Sequence, residues 1–209
     1  ATLGLRDLAA HLGDLSAGDQ KQAKRLLARP DGTGTISDCA EGLGCYINAE
    51  RAALKAYCIA GQLCVHYSVI NGPNRVPLED DGAAGSWRIG TTPGNGVPDY
   101  VEAALITAYN VRLKYFKAGY RLPVGDGATG GSTANTFDIY LTDLVDSNRA
   151  LYGYCIPEGA IDSHTPTAGY CVLDNDYAPA EFGTSKPPLA NLWVTTAHEY
   201  FHAVQFAYD

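Results

Sequence analysis

The sequence predicts an α+β fold, a small mixed sheet packed against two long helices. Three observations carry that expectation. The stretches "DYVEAALITAYNVRLKYFKAGY" and "KPPLANLWVTTAHEYFHAVQFAY" are long and place apolar residues at helical spacing. Segments such as "LCVHYSVI" and "TFDIYLTDL" are rich in β-branched and aromatic residues, as strands are. Twenty-three glycines and eleven prolines among 209 residues favour many turns over a helical bundle.

Each element follows from local signals. "LRDLAAHLGDL" and "SAGDQKQAKRLLA" read as short amphipathic helices; Ser16 is the N-cap of the second, and "RPDGTG" ends it. "AERAALKAY", flanked by cysteines, reads as a third helix, and "LCVHYSVI" after it as a strand. The polar, glycine-rich stretch over 71–96 is loop. In the helix from Asp99 to Tyr120, Val101, Ala104, Leu105, Ala108, Val111 and Leu113 form the apolar side. "TFDIYLTDL" alternates Phe137, Ile139 and Leu141 with polar neighbours. "ALYGYCI" is a weaker strand, and "AGYCVLDND" a further one. Pro187 and Pro188 suit the start of the last helix. No internal repeat is present. The chain divides into a helical, cysteine-bearing extension over 1–58 and a mixed unit over 59–209.

With 46% hydrophobic residues the chain can bury a substantial core. A formal charge of −8 argues against nucleic acid or anionic lipid as partners. No stretch has the apolar length of a membrane span, so the chain is expected to be soluble. Six cysteines point to an oxidising compartment, with Cys155 bridged to Cys171 and Cys39, Cys45, Cys58 and Cys64 paired among themselves. A thiolate zinc site is the competing use, but no C-x-x-C pair occurs. The opening at Ala1, without methionine or a signal-peptide core, fits a processed secreted protein or a piece of a longer one.

His198, Glu199 and His202 form H-E-x-x-H within the last helix. Residues four apart lie about 40° apart in projection and one turn apart in height, so both imidazoles can meet one ion. Glu199 is rotated roughly 100° from His198, away from direct ligation but able to act on water as a general base. The alternative is a core helix built on Trp193, Phe201, Val204 and Phe206 with incidental histidines. Such a helix would have to satisfy two imidazoles and a carboxylate.

"HEYFHAVQFAYD", together with "GNGVPDYVE", "FDIYLTDL" and "YCVLDND", resembles the zincin superfamily of metallopeptidases, and within it a group of secreted bacterial zinc metalloproteases. The likeness runs from about residue 60 to the end and more loosely includes "RLLARPDG". It implies Zn2+ at His198 and His202, Glu199 as catalytic base, and protein or peptide substrates. It also implies a zincin-like catalytic subdomain over 59–209, secreted from the cell. The alternative is a catalytically inactive, disulfide-stapled extracellular binding module on the same fold. Zinc hydrolysis of a non-peptide substrate is a third reading.

A catalytic zinc usually takes three protein ligands. The branch that continues H-E-x-x-H-x-x-G-x-x-H is excluded, because Gln205 and Tyr208 occupy its glycine and third-histidine positions. Asp209 lies about 16 Å from His198 along a continuous helix. His66 reads as a satisfied strand residue and His164 as a surface loop residue. The gluzincin pattern takes its third ligand, a glutamate, from a later helix. The expectation is therefore a ligand in sequence beyond residue 209, with weak zinc binding by these 209 residues alone.

Asn95, Asp99 and Glu102, with Glu79, Asp80 and Asp81 nearby, form a candidate Ca2+ set. The competing account is a glycine turn with Asp99 favouring the start of the next helix. "GYCVLDND" is the candidate strand beside the cleft, able to pair with an extended peptide. Asp174, Asn175 and Asp176 read as turn residues. The N-terminal helices are a candidate prosegment with a cysteine thiolate blocking zinc, although six cysteines suit pairing better; the alternative is a packing or interaction role.

Overall fold

The computed structural model describes residues 1–33, 44–82, 91–131, 135–146, 149–159 and 165–208. Its centre is a five-stranded mixed sheet, and the α+β class holds. In spatial order the strands are β1 (Lys55–Ile59), β2 (Leu63–Tyr67), β3 (Phe137–Thr142), β7 (Ala168–Asp174) and β6 (Gly153–Glu158). β2, β3 and β7 run parallel, while the outer strands β1 and β6 are antiparallel to their neighbours. A short ribbon of β4 (Val145–Asp146) and β5 (Arg149–Ala150) separates β3 from β6. The helices are α1 (Thr2–Ala10), α2 (Ala17–Leu26), α3 (Asn48–Ala52), α4 (Asp99–Lys117), α5 (Pro179–Phe182) and α6 (Pro188–Phe206).

α4 packs on β1 and β2, α6 packs on β6 and β7, and the two helices pack on each other. Leu63, Val65, Ile139, Leu141 and Leu173 of the sheet meet Tyr100, Ala104 and Ala108 of α4 and Leu192, Tyr200 and Ala203 of α6 in one apolar core. The two long helices foreseen from periodicity are thus present and share one face of the sheet. Ser16 caps α2 as expected, accepting from the Asp19 backbone N–H at 3.3 Å.

The polar positions of β3 are buried, which simple alternation does not foresee. Asp138, Tyr140 and Thr142 are fully enclosed because the second face of the sheet is covered as well. There Tyr140, Tyr154, Ile156, Tyr170 and Val172 form a second cluster with Tyr46 and Leu144, against which Leu5 of α1 and Leu27 pack. Arg29 enters this layer with its guanidinium aimed at the sheet. It donates to Asp138 at 2.7 Å, to the Tyr140 hydroxyl at 2.8 Å and to Glu158 at 2.6 Å, and it pairs with Asp126.

Two elements differ from expectation. α3 stops at Ala52, and "KAY" belongs to β1, whose backbone pairs with β2 in register Lys55 to Tyr67. Hairpin pairing with β2, locked by the Cys58–Cys64 disulfide, overrides local helix propensity there. The division between residues 58 and 59 therefore falls inside a strand. The outer strand beside α6 is β6, not β7, because "GYCIPE" adds itself to the sheet outside "AGYCVLD". The expected Cys155–Cys171 disulfide joins directly opposed residues of these two strands. Cys45 is also disulfide-bonded, and Cys39 lies outside the described residues. Among the described residues no helix is long and apolar enough to cross a membrane.

Candidate metal centre

α6 begins at Pro188, where proline's fixed φ and missing N–H suit the first helical position. It buries Leu192, Thr195, Thr196, Glu199, Tyr200, Ala203, Val204 and Phe206. The opposite side leaves Val194, His198 and Gln205 exposed and His202 half-buried. Trp193, expected in the core of an ordinary apolar helix, is 46% exposed. Tyr115 of α4 fixes the helix, its hydroxyl donating to the Ala197 carbonyl at 2.9 Å.

His198 and His202 converge. Their Nε2 atoms are 3.3 Å apart and the rings meet edge-on, with an interplanar angle of 84°. Two nitrogens on one tetrahedral zinc, with Zn–N bonds of about 2.0–2.1 Å, stand about 3.3–3.4 Å apart. The Nδ1–H of His202 donates to Gln205 Oε1 at 2.8 Å, which leaves a lone pair on its Nε2. A proton on His198 Nε2 can join the two rings as a hydrogen bond, and a metal cation can replace that proton. The donor set therefore fits two ligands of a zinc ion. Among the described residues no other His, Cys, Asp or Glu brings a ligand atom into the same small space.

Glu199 lies on the buried side of α6 and is 7% exposed. Thr2 of α1 donates to its Oε2 at 2.6 Å, and the same hydroxyl accepts from the Cys155 backbone N–H at 3.0 Å. The Cys155 and Cys171 sulfurs sit 3.0 and 3.7 Å from the Glu199 carbonyl oxygen, so the disulfide packs against the helix at this residue. Gly153 permits the approach of β6. A Cβ there would lie 2.8 Å from Thr195 Cγ2 and 3.2 Å from Glu199 Cγ. Glu199 thus sits where α1, β6 and α6 meet.

The other candidates lie elsewhere. His66 is buried, 3.0 Å from Asp138 through Nε2 and stacked on Tyr140 at 4.6 Å between centroids. His164 and Asp209 lie outside the described residues. Asn95 and Glu102 are joined by a hydrogen bond at the turn before α4, while Asp99 bonds elsewhere. Glu102 accepts from Asn95 Nδ2 and the Thr92 N–H, both at 2.7 Å, and Asp99 accepts from the Gly82 N–H at 3.1 Å. Asn95 Oδ1 accepts from the Val97 N–H at 2.8 Å. Asp174, read as a turn residue, accepts from the Asp176, Tyr177 and Leu144 N–H groups, as a turn residue does. Its carboxylate also stands close to those of Asp176 and Glu181, a grouping the sequence reading missed.

Sequence reasoning also missed Thr2, Gly153 and Gln205. Gln205 had a usable signal, because a residue three after His202 lies on the same helix face. Thr2 had none, since its partners are 153 and 197 positions away. Comparison with protein-family models, curated proteins and solved structures finds no match for this chain.

Proposed function

We propose that α6 carries two zinc ligands of a secreted zinc-dependent endopeptidase. The observation behind this reading is the 3.3 Å separation of the His198 and His202 Nε2 atoms, with His202 oriented by Gln205. His198 and His202 would hold the ion, which when bound supplies Lewis-acid polarisation of a carbonyl and acidification of water. Glu199 takes a proton from the attacking water and returns it to the leaving amine, the work of a carboxylate beside such a pair. The outer strand β6 supports an extended substrate next to α6. The disulfides Cys58–Cys64 and Cys155–Cys171 fit an extracellular site of action.

One observation favours the second reading, an inactive extracellular binding module. Glu199 already has a hydrogen-bond partner in Thr2, so it can also be understood as a purely structural carboxylate. Zinc competition against a chelating dye, paired with hydrolysis of an unstructured protein, separates the two. The peptidase reading expects His198→Ala and His202→Ala to lose zinc, and Glu199→Gln to keep zinc while losing roughly 10²–10⁴-fold in hydrolysis. Zinc uptake indifferent to both histidines would sink the metal site. Histidine-dependent zinc with hydrolysis indifferent to Glu199→Gln would leave the binding module.

A further inference from the structure

The Thr2 hydroxyl occupies two groups at once. It donates to the carboxylate of Glu199 and takes up the backbone N–H of Cys155. β6 is the outer strand of the sheet, so its outward-turned donors are those on which an incoming extended chain can pair. As an acceptor from Cys155, Thr2 Oγ1 stands where the carbonyl oxygen of such a chain would stand. As a donor to Glu199, it takes up one of the acceptor sites of the carboxylate that would otherwise face water.

We propose that α1 is an exchangeable occupant of the cleft between β6 and α6, a resident inhibitor that must leave before a peptide reaches Glu199. This rests on the peptidase reading of Glu199. The occupant is this chain's own first helix, and what replaces it is an extended peptide backbone. α1 rests on β6 through half-buried side chains such as Leu5, and its full burial is confined to one residue. Thr2 is its one fully buried residue, Leu3 is 62% exposed, and its N-cap residue Ala1 provides no side-chain cap. A nine-residue helix is too short to persist in water by itself, so release from β6 also melts it. Docking and melting are thus one equilibrium, with the Thr2 hydrogen bonds on the docked side. A cysteine thiolate on zinc, the form of prosegment weighed against disulfide pairing, plays no part here: α1 contains no cysteine, and it contacts Glu199 rather than the two histidines.

The test uses the full 209-residue chain in saturating zinc, since its zinc binding is expected to be weak, as Thr2→Val with Thr2→Ser as the control that keeps both hydrogen bonds. Two readouts are taken: hydrolysis of a fluorogenic unstructured peptide, and hydrogen exchange at the Cys155 amide. In Thr2→Val the Cys155 amide exchanges faster while the β7 amides stay protected, and kcat/KM rises by about tenfold or more, since one hydrogen bond to a charged acceptor is lost from the docked state. Thr2→Ser matches the wild type in both. Faster Cys155 exchange with unchanged or lower turnover would overturn the proposal and make α1 a structural support. Unchanged Cys155 exchange would overturn it too. No turnover in wild type, Thr2→Val or Glu199→Gln would instead be failure of the peptidase reading itself, which takes the inhibitor with it.

Discussion

Arg29 donates to Asp138 across 109 positions of sequence, from a guanidinium that is almost wholly enclosed. Around it stand Asp126, Glu158 and the Tyr140 hydroxyl, and Asp138 in turn receives His66. The Tyr140 and Tyr170 rings also lie within 5.8 and 5.0 Å of its charge. This cluster ties the segment after α2 to the middle of the sheet. Burial alone would favour a neutral Arg29, but its hydrogen bond to Glu158 and the surrounding acids hold it charged beyond its ordinary range.

Removing one member of such a cluster strands the others. Arg29→Met should cost roughly 3–5 kcal/mol, because the enclosed Asp126 and Asp138 lose their counter-ion without regaining water. Arg29→Lys should lie between, keeping the charge but losing the multi-pronged geometry. Urea unfolding followed by tyrosine and tryptophan fluorescence measures both. A midpoint unchanged in Arg29→Met would mean that the acids reach solvent after all.

Local signals and long-range placement were legible to different degrees. The long helices, β2 and β3, and the H-E-x-x-H spacing could be read, because each is written within one turn or one strand. Ser16 was legible as a cap for the same reason. The edge position of β6 was not, since "ALYGYCI" is locally weak and owes its strand to pairing with β7. Nor was the burial of Asp138 and Tyr140, which look solvent-facing until Arg29 is brought over them. At the candidate site the histidine pair was legible, and the engagement of Glu199 by Thr2 was not.

Gln205 should act as a positioning residue for zinc. Its Oε1 accepts from His202 Nδ1, and partners of this kind set ring orientation and ligand basicity. Gln205→Ala should weaken zinc binding by about 10–100-fold in dye competition, and Gln205→Glu should restore it. Helix content by circular dichroism should be the same in both, since the residue is exposed. Equal zinc affinity in wild type and Gln205→Ala would show that His202 needs no such help.

Gly153 is required by the close approach of β6 to α6. An added Cβ would meet Thr195 Cγ2 at 2.8 Å and the Val172 carbonyl oxygen at 3.0 Å. Gly153→Ala should therefore destabilise by about 1–3 kcal/mol. Thr195→Ser deletes the colliding methyl, so the double variant should recover part of that loss. Thermal unfolding of the four proteins gives the coupling energy. Strict additivity would place the strain on the Val172 carbonyl instead.

The stability of the fold should depend on pH through Asp174. Burial pushes its carboxyl from 3.8 up to about 7, against the opposing pull of the Asp176, Tyr177 and Leu144 N–H groups. Between those two values the folded chain holds a proton that the unfolded chain has released. The unfolded state then binds fewer protons, so this residue's contribution is full below about pH 4 and is lost as the pH rises through about 7. The slope is at most about 1.4 kcal/mol per pH unit. Burial raises Asp176 as well, and its contribution has the same sign. Comparison with Asp174→Asn isolates the one group. The amide replaces an oxygen that accepts from backbone N–H, so Asp174→Asn should lose about 1–3 kcal/mol while its urea midpoint falls less steeply between about pH 4 and 7 than that of the wild type. Parallel midpoint curves for the two proteins would mean that Asp174 stays ionised across the range, its three N–H donors outweighing the cost of burial.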